Sequence, residues 1–287
     1  MSSPGASASH APTRFRRAAL AALAAVVCLA TSATAAGPAT AGEPGAGVAA
    51  ATTPVQRWLA GTTSYIAHRG GSASWPEGSP LAYRNAVAWS PDLALEFPAR
   101  RTVDGVWVAS DEATTRRVFG KDLTIATTTW SKLSTLRSID GNQMMSRLKE
   151  TVLAKVPRDR VLVVDDKDDA HVAELLALLG QYGGPSRTII KSYYQFANTP
   201  PRAHTKGYLT WGYWYQSELS QFAATQGKFD LLAMQWDAPA STFRTMLATG
   251  KKVFAHVVAT QAQAQAGLDK GATGLMVSGV TAVVPPG

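Results

Sequence analysis

The sequence predicts an α/β protein, a (β/α)8 barrel of the TIM type with a short β-hairpin after the second strand. Eight short apolar runs, helix-like segments between most of them, and a chain of about 250 residues beyond the amino-terminal segment favour this fold. The runs are continuously apolar, as in parallel strands that are covered on both faces. An open doubly wound sheet is the alternative, but no Gly-x-Gly-x-x-Gly follows the first run, which weakens its nucleotide-binding form.

The predicted strands alternate with helices along the chain. The eight strands are expected at residues 64–68, 93–96, 160–165, 188–191, 206–211, 230–235, 252–256 and 273–277. Helices are expected near residues 80–89, 144–156, 171–180, 217–225, 242–249 and 261–270, and the turn Asp104-Gly105 marks the hairpin. Because the carboxyl ends of barrel strands meet at one rim, polar residues that follow the strands predict an active site there.

The first 41 residues are predicted to be a secretory signal peptide. Three arginines between residues 14 and 17 precede an uncharged apolar run, residues 18–30, and small residues follow it. The run is shorter than the roughly 20 residues that a membrane-spanning helix needs. The sequence therefore predicts a secreted, extracellular protein with no stable membrane anchor, cleaved after Ala35 or Ala41, both in Ala-x-Ala sequences.

Removal of this segment changes the composition. The full chain has 28 Lys and Arg, 20 Asp and Glu, a formal net charge of +8 and one cysteine, Cys28. The predicted mature chain has 246 residues, a charge of +5 and no cysteine, which excludes disulfides and thiolate metal sites. Its basic residues are scattered, so no nucleic-acid partner is expected. Residues 42–60 are predicted to be a flexible lead-in, and residues 61–287 form the barrel.

Short blocks in a fixed order carry a resemblance to a known family. The first is Ile66-Ala-His-Arg-Gly-Gly71, followed by Pro76-Glu77 and a helix. The others are Leu95-Glu96, Thr102-x-Asp104-Gly105, Asp165-x-Lys167, Lys191-Ser192-Tyr193, Gly250–Val253 and Gly271–Ser278. Together they resemble the glycerophosphodiester phosphodiesterase family over nearly the whole predicted mature chain. The resemblance implies a TIM barrel that hydrolyses glycerophosphodiesters to an alcohol and glycerol phosphate with a divalent cation, Ca²⁺ or Mg²⁺.

The resemblance also assigns roles to residues at the strand ends. His68 matches a family histidine that transfers protons, a task suited to an imidazole whose pKa lies near neutrality. Arg69 and Lys167 match the cations that hold the phosphate. In the family, the glycerol 2-hydroxyl is thought to attack phosphorus while two histidines act as general base and general acid.

Three carboxylates are the candidate metal ligands. Glu96 and Asp165 match family ligands, and their oxygens suit a hard divalent cation. Glu77 is the third candidate, although an acid before a helix also complements the helix dipole.

Several positions depart from the family pattern. Pro98 stands where a metal-binding aspartate is expected and has no side-chain oxygen, and Asp165 replaces a glutamate. The second histidine is replaced by Asp111, or by Ser110 if the register contains a one-residue gap. Asp111 would serve as a catalytic acid if its pKa were raised, or as a substitute metal ligand. His256 is the remaining candidate for contact with the substrate or for proton transfer.

Three functions follow from these residues. The first is a secreted, metal-assisted hydrolase of glycerophosphodiesters. The second is a barrel that has lost hydrolysis and binds a phosphorylated ligand, which the changes at Pro98 and Asp111 favour. The third is a phospholipase-type lipid phosphodiesterase. The expected partner is a small phosphodiester, and the oligomeric state stays open.

Overall fold

A computed structural model describes residues 52–287. The predicted signal peptide and the first part of the predicted lead-in, residues 42–51, lie outside the described residues. Within residues 52–287, no helix has both the length and the apolar character needed to cross a bilayer.

Eight parallel strands form a closed barrel, so the predicted TIM fold is confirmed. The strands are β1 Ser64–Ala67, β2 Ala94–Arg101, β4 Leu162–Asp166, β5 Thr188–Tyr193, β6 Thr210–Tyr213, β7 Leu231–Gln235, β8 Lys252–Val258 and β9 Gly274–Val277. The hydrogen-bonded order is β1-β9-β8-β7-β6-β5-β4-β2, and the pairing of β1 with β2 closes the ring. The short strand β3, Trp107–Ala109, pairs antiparallel with the end of β2 and forms the predicted hairpin.

Helices connect most of the strands. They are α1 Pro54–Ala60, α2 Pro80–Trp89, α3 Arg116–Phe119, α4 Trp130–Leu133, α5 Val172–Gly180, α6 Thr199–Thr205, α7 Phe222–Thr225, α8 Ala240–Leu247, α9 Gln261–Asp269 and α10 Val280–Val283. The sequence prediction missed α6, whose first turn contains Pro200 and Pro201, a place where proline is tolerated. The predicted strand 206–211 begins later because Gly207, with a φ of 77°, ends the turn that follows α6.

Helix α1 corrects the prediction of a flexible lead-in for residues 54–60. The Thr53 side chain accepts a hydrogen bond from the Gln56 backbone N–H at 3.2 Å, and Pro54 occupies the first helical position. Val55 is buried, and the Trp58 ring stacks on Phe254 of the barrel interior with centroids 5.8 Å apart. Apolar contact with the barrel therefore orders this segment, which local composition did not reveal.

The barrel interior is built in layers because side chains alternate between the two faces of each strand. One apolar layer contains Ile66, Ala94, Val163, Ile189, Trp211, Ala233, Phe254 and Met276. Two residues further along each strand, toward its carboxyl end, the next inward layer is His68, Glu96, Asp165, Lys191, Tyr213, Gln235, His256 and Ser278. Along each strand, the inward side chains thus change from apolar to charged or polar over two residues, toward the rim where barrel active sites lie.

Candidate active site

His68 begins a tight turn directly after β1. Arg69 has the left-handed backbone angles φ 52° and ψ 37°, which non-glycine residues rarely adopt. Gly70 and Gly71 continue the turn at positive φ, and a Cβ atom on Gly71 would lie 2.9 Å from the Trp75 ring. This turn directs the Arg69 backbone N–H to the Glu96 carboxylate, an oxygen of which accepts it at 2.9 Å.

The imidazole of His68 is buried at the rim and uncharged. Its Nε2 lies 3.7 Å from Glu96 Oε2, and its Nδ1 lies 3.4 Å from the Ser72 hydroxyl. Burial, followed by the positive charges of Arg69 and Lys191, lowers the pKa of His68 well below its usual value. His68 is therefore neutral at neutral pH and able to accept a proton.

Lys191, on β5, lies between the two carboxylates that the sequence predicts as metal ligands. Its Nζ is 2.7 Å from Glu96 Oε1 and 2.5 Å from Asp165 Oδ2, and all three side chains are buried. Burial alone would lower the pKa of Lys191, but Asp165 and Glu96 outweigh burial and raise the pKa. Lys191 is therefore a fixed cation in the inner layer.

The two predicted phosphate ligands converge, and a carboxylate already joins them. Asp111 Oδ2 is 2.6 Å from an Arg69 guanidinium nitrogen, and Asp111 Oδ1 is 2.8 Å from Lys167 Nζ. Lys167 also contacts Asp165 Oδ2 at 2.9 Å. Asp111 thus lies where an anionic group would bridge Arg69 and Lys167.

The environment of Asp111 does not suit the catalytic acid that the sequence prediction allowed. Burial favours a higher pKa, but the charges of Lys167 and Arg69 hold the pKa of Asp111 well below its usual range. Its side chain therefore stays ionised. Both of its oxygens bind cations instead of joining Glu96 and Asp165 around a shared metal position.

Glu77 orients the arginines at the mouth of the site. Its Oε1 lies 2.9 Å from the Arg69 guanidinium and 2.6 Å from that of Arg117, and Arg117 also pairs with Glu112. These contacts hold the phosphate candidate Arg69 in place. The carboxylate that the sequence proposes as a third metal ligand is thus occupied by arginines.

His256 belongs to the same inward layer. It is buried, its Nε2 has no hydrogen-bond partner among the described residues, and burial lowers its pKa to about 3. Its ring meets the Tyr213 ring edge to face, with centroids 6.3 Å apart. The Tyr213 hydroxyl accepts a hydrogen bond from Lys167 at 3.3 Å.

Comparison with known proteins finds a family whose model matches the first half of the barrel. The model of the glycerophosphoryl diester phosphodiesterase family matches residues 68–178, the segment that carries His68, Arg69, Glu96, Asp165 and Lys167. The part of the barrel that carries these residues thus matches a family of phosphodiester hydrolases.

Solved structures of glycerophosphodiester phosphodiesterases have the same fold. The enzyme from Thermotoga maritima is 19% identical, with a TM-score of 0.61 over 76% of this chain and 95% of that chain. An Oleispira antarctica phosphodiesterase in complex with the product sn-glycerol-3-phosphate is 16% identical, with a TM-score of 0.62 over 77% and 95%. One from Agrobacterium tumefaciens is 14% identical, with a TM-score of 0.60 over 75% and 96%.

The divalent cation that glycerophosphodiester phosphodiesterases generally use does not fit the residues present here. Of the four carboxylate oxygens of Glu96 and Asp165, three accept from an ammonium or a backbone N–H, and only Asp165 Oδ1 lacks a partner. Within residues 52–287, no three His, Cys, Asp or Glu side chains converge so that they could hold a metal ion. Calcium takes about six to eight oxygen ligands, and Pro98 adds no side-chain oxygen.

Sequence reasoning placed His68, Arg69, Glu96, Asp165, Lys167 and His256 at one rim, and the structure brings these six together. It placed neither Lys191 nor Tyr213 among the candidate site residues, although both belong to the inner layer. Side chains of a strand point to alternate faces, so the residues two positions after the buried Ile189 and Trp211 point inward as well. This alternation would have identified Lys191 and Tyr213.

Proposed function

We propose that this protein hydrolyses small glycerophosphodiesters to an alcohol and glycerol phosphate. The observation that carries the proposal is the neutral His68 beside two phosphate-directed cations, Arg69 and Lys167, at the rim of a barrel of this family. Glycerol phosphate as the product accords with the ligand bound to the Oleispira antarctica relative.

In the proposed reaction, Arg69 and Lys167 bind the phosphate oxygens after these displace the Asp111 carboxylate. His68 accepts the proton of the glycerol 2-hydroxyl, whose oxygen attacks phosphorus to form a cyclic phosphate. The bond from phosphorus to the departing alcohol breaks, and that alcohol takes a proton from water. We assign this proton to water because Asp111 stays ionised and burial keeps His256 uncharged. The resulting hydroxide opens the cyclic ester, and the 2-oxygen regains its proton from His68.

The test is hydrolysis of glycerophosphocholine by wild type and His68→Ala. Loss of the general base should lower kcat about 10²–10⁴-fold. His204→Ala is the matched control, because His204 pairs with Asp230 at 2.9 Å and is half-exposed, at the opposite end of the barrel. Equal activity in wild type and His68→Ala would refute the site assignment.

A binding barrel without hydrolysis is the second candidate. The observation that favours it is the internal charge balance, in which Asp111 and Lys191 already satisfy the groups that would meet a ligand. Saturable binding of glycerol phosphate by a protein that does not turn over glycerophosphocholine or an intact phospholipid would favour this candidate. Turnover of intact phospholipid alone would instead favour the phospholipase type.

We also propose that the protein works outside the cell. The support is the order of basic, apolar and small residues in the first 41 positions. Expression with this segment should yield secreted protein whose amino terminus begins after Ala35 or Ala41. Retention in the cell with the segment intact would contradict export.

A further inference from the structure

Lys191 lies at the centre of the inner charge cluster and is held there by its strand. Its Cα pairs across the sheet with Asp165 of β4 on one side and with Trp211 of β6 on the other. The side chain is buried, so its ammonium group stays next to Glu96 and Asp165. Its Nζ also lies 4.6 Å from the centroid of the Tyr213 ring, a cation–π contact.

We propose that the Lys191 ammonium takes the place of the divalent cation in this barrel, so that the site works without a metal ion. The part of this proposal that concerns catalysis rests on the proposed function, but the exclusion of metal does not. The Lys191 ammonium supplies a permanent positive charge between the same two carboxylates.

The position of Pro98 also argues against a metal ion at this site. Pro98, two residues after Glu96 on the inward face of β2, is paired across the sheet with Asp165. The chain therefore combines loss of an oxygen at this position with a cation that neutralises the two remaining carboxylates. A metal ion placed between Glu96 and Asp165 would have to displace a buried, doubly paired ammonium, which like-charge repulsion opposes.

An ammonium group in place of a divalent cation changes the chemistry that the site can supply. An ammonium group carries one charge and donates hydrogen bonds, whereas a divalent ion polarises a phosphoryl oxygen as a Lewis acid. The exchange therefore predicts slower turnover that does not respond to added metal or to a chelator.

The deciding experiment measures Mn²⁺ binding to purified, chelator-treated protein by electron paramagnetic resonance. Wild type should show no saturable binding, and neither should the control Lys251→Ala, because Lys251 donates to two oxygens of Gln226 away from the site. Pro98→Asp/Lys191→Ala should bind one Mn²⁺ per chain, and adding Glu96→Gln to this variant should remove it.

Thermal unfolding gives a second measurement on the same proteins. Mn²⁺ should raise the Tm of Pro98→Asp/Lys191→Ala and leave that of wild type unchanged. If that variant does not fold, Lys191→Ala alone is measured. It should bind Mn²⁺, but more weakly than a variant that also carries Pro98→Asp, because it has one carboxylate fewer.

One Mn²⁺ bound by wild type and lost in Glu96→Gln would overturn the proposal. Failure of the folded variants to gain Mn²⁺ would also overturn it, because Lys191 would then not be what excludes the ion. Both results are independent of catalysis. A wild type that fails to hydrolyse glycerophosphocholine would contradict the proposed function, but the Mn²⁺ binding measurements would still test the metal proposal.

Discussion

At the scale of single residues, Asp111 occupies the position between Arg69 and Lys167 where we propose that phosphate binds. Its carboxylate bridges Arg69 and Lys167, and the low pKa that these cations impose keeps it charged at any physiological pH. A phosphodiester must therefore compete with an internal anion. This competition should weaken the binding of a phosphodiester to Arg69 and Lys167.

Asp111→Asn should strengthen binding of glycerol phosphate. The change removes the competing negative charge, while Arg69 keeps Glu77 and Lys167 keeps Asp165. We expect Kd to fall about tenfold, which corresponds to about 1.4 kcal/mol, as measured by titration calorimetry. Asp122→Asn, which breaks an exposed pair with Arg116, is the control. Unchanged or weaker binding in Asp111→Asn would show that Asp111 does not compete with the ligand.

His256 should make the protein less stable in acid. Its pKa is about 3 when folded and about 6.5 when unfolded, so its contribution is fully present above about pH 6.5. Below that pH, His256 is protonated in the unfolded chain but not in the folded protein. Its contribution to the free energy of unfolding is therefore lost as pH falls toward 3.

His256→Gln should therefore flatten the acid side of the stability profile. Between about pH 6 and pH 4, the free energy of unfolding from urea titrations should decline less steeply, by up to about 1.4 kcal/mol per pH unit. Thr245→Ala, at an exposed position in α8, removes no titratable group and should leave the slope unchanged. Parallel profiles for wild type and His256→Gln would mean that the His256 imidazole is not buried uncharged.

The limits of sequence reasoning are clearest at this scale. His68, Arg69 and Lys167 were found because they follow strand ends and match family positions. Lys191 was named only within a block of the resemblance and was given no role, although it is two residues beyond the buried Ile189, because a lysine in a strand is usually solvated. Its role depends on Glu96 and Asp165, which lie on two other strands, and no local pattern reports such a contact.

At the scale of elements, α1 shows how tertiary contact overrides composition. Helix α2 was predicted with its observed bounds, and in the structure the Ser79 side chain caps its first turn. The segment before β1 is too short to form a stable helix alone. Packing of Trp58 against Phe254 at the amino-terminal end of the barrel provides the missing stability.

Trp58→Ala should therefore destabilise the whole barrel. We expect a loss of about 2–3 kcal/mol in the free energy of unfolding, at or below the low end for tryptophan truncation because Trp58 is only partly buried. Arg57→Ala, at an exposed position in the same helix, should cost less than about 0.5 kcal/mol. Equal and small effects in urea unfolding would mean that α1 does not pack on the barrel.

At the scale of the whole molecule, the fold could be predicted because its signal is repeated eight times. Each continuous apolar run argues for a buried parallel strand, and errors of a few residues at strand 206–211 do not change the closed order. The site depends on single substitutions such as Pro98 and Asp111, and its charge balance follows only from the assembled barrel. In our proposal, the barrel thus keeps Arg69 and Lys167 as anion-binding residues while the Lys191 ammonium takes the place of the metal.

The most direct test of this account is the steady-state hydrolysis of glycerophosphocholine in the presence of EDTA, for wild type and His68→Ala. Wild type should turn over this substrate at a rate that EDTA does not reduce and that His68→Ala lowers at least about 10²-fold. Turnover that requires added Ca²⁺ or Mg²⁺, or that is equal in the two proteins, would contradict it.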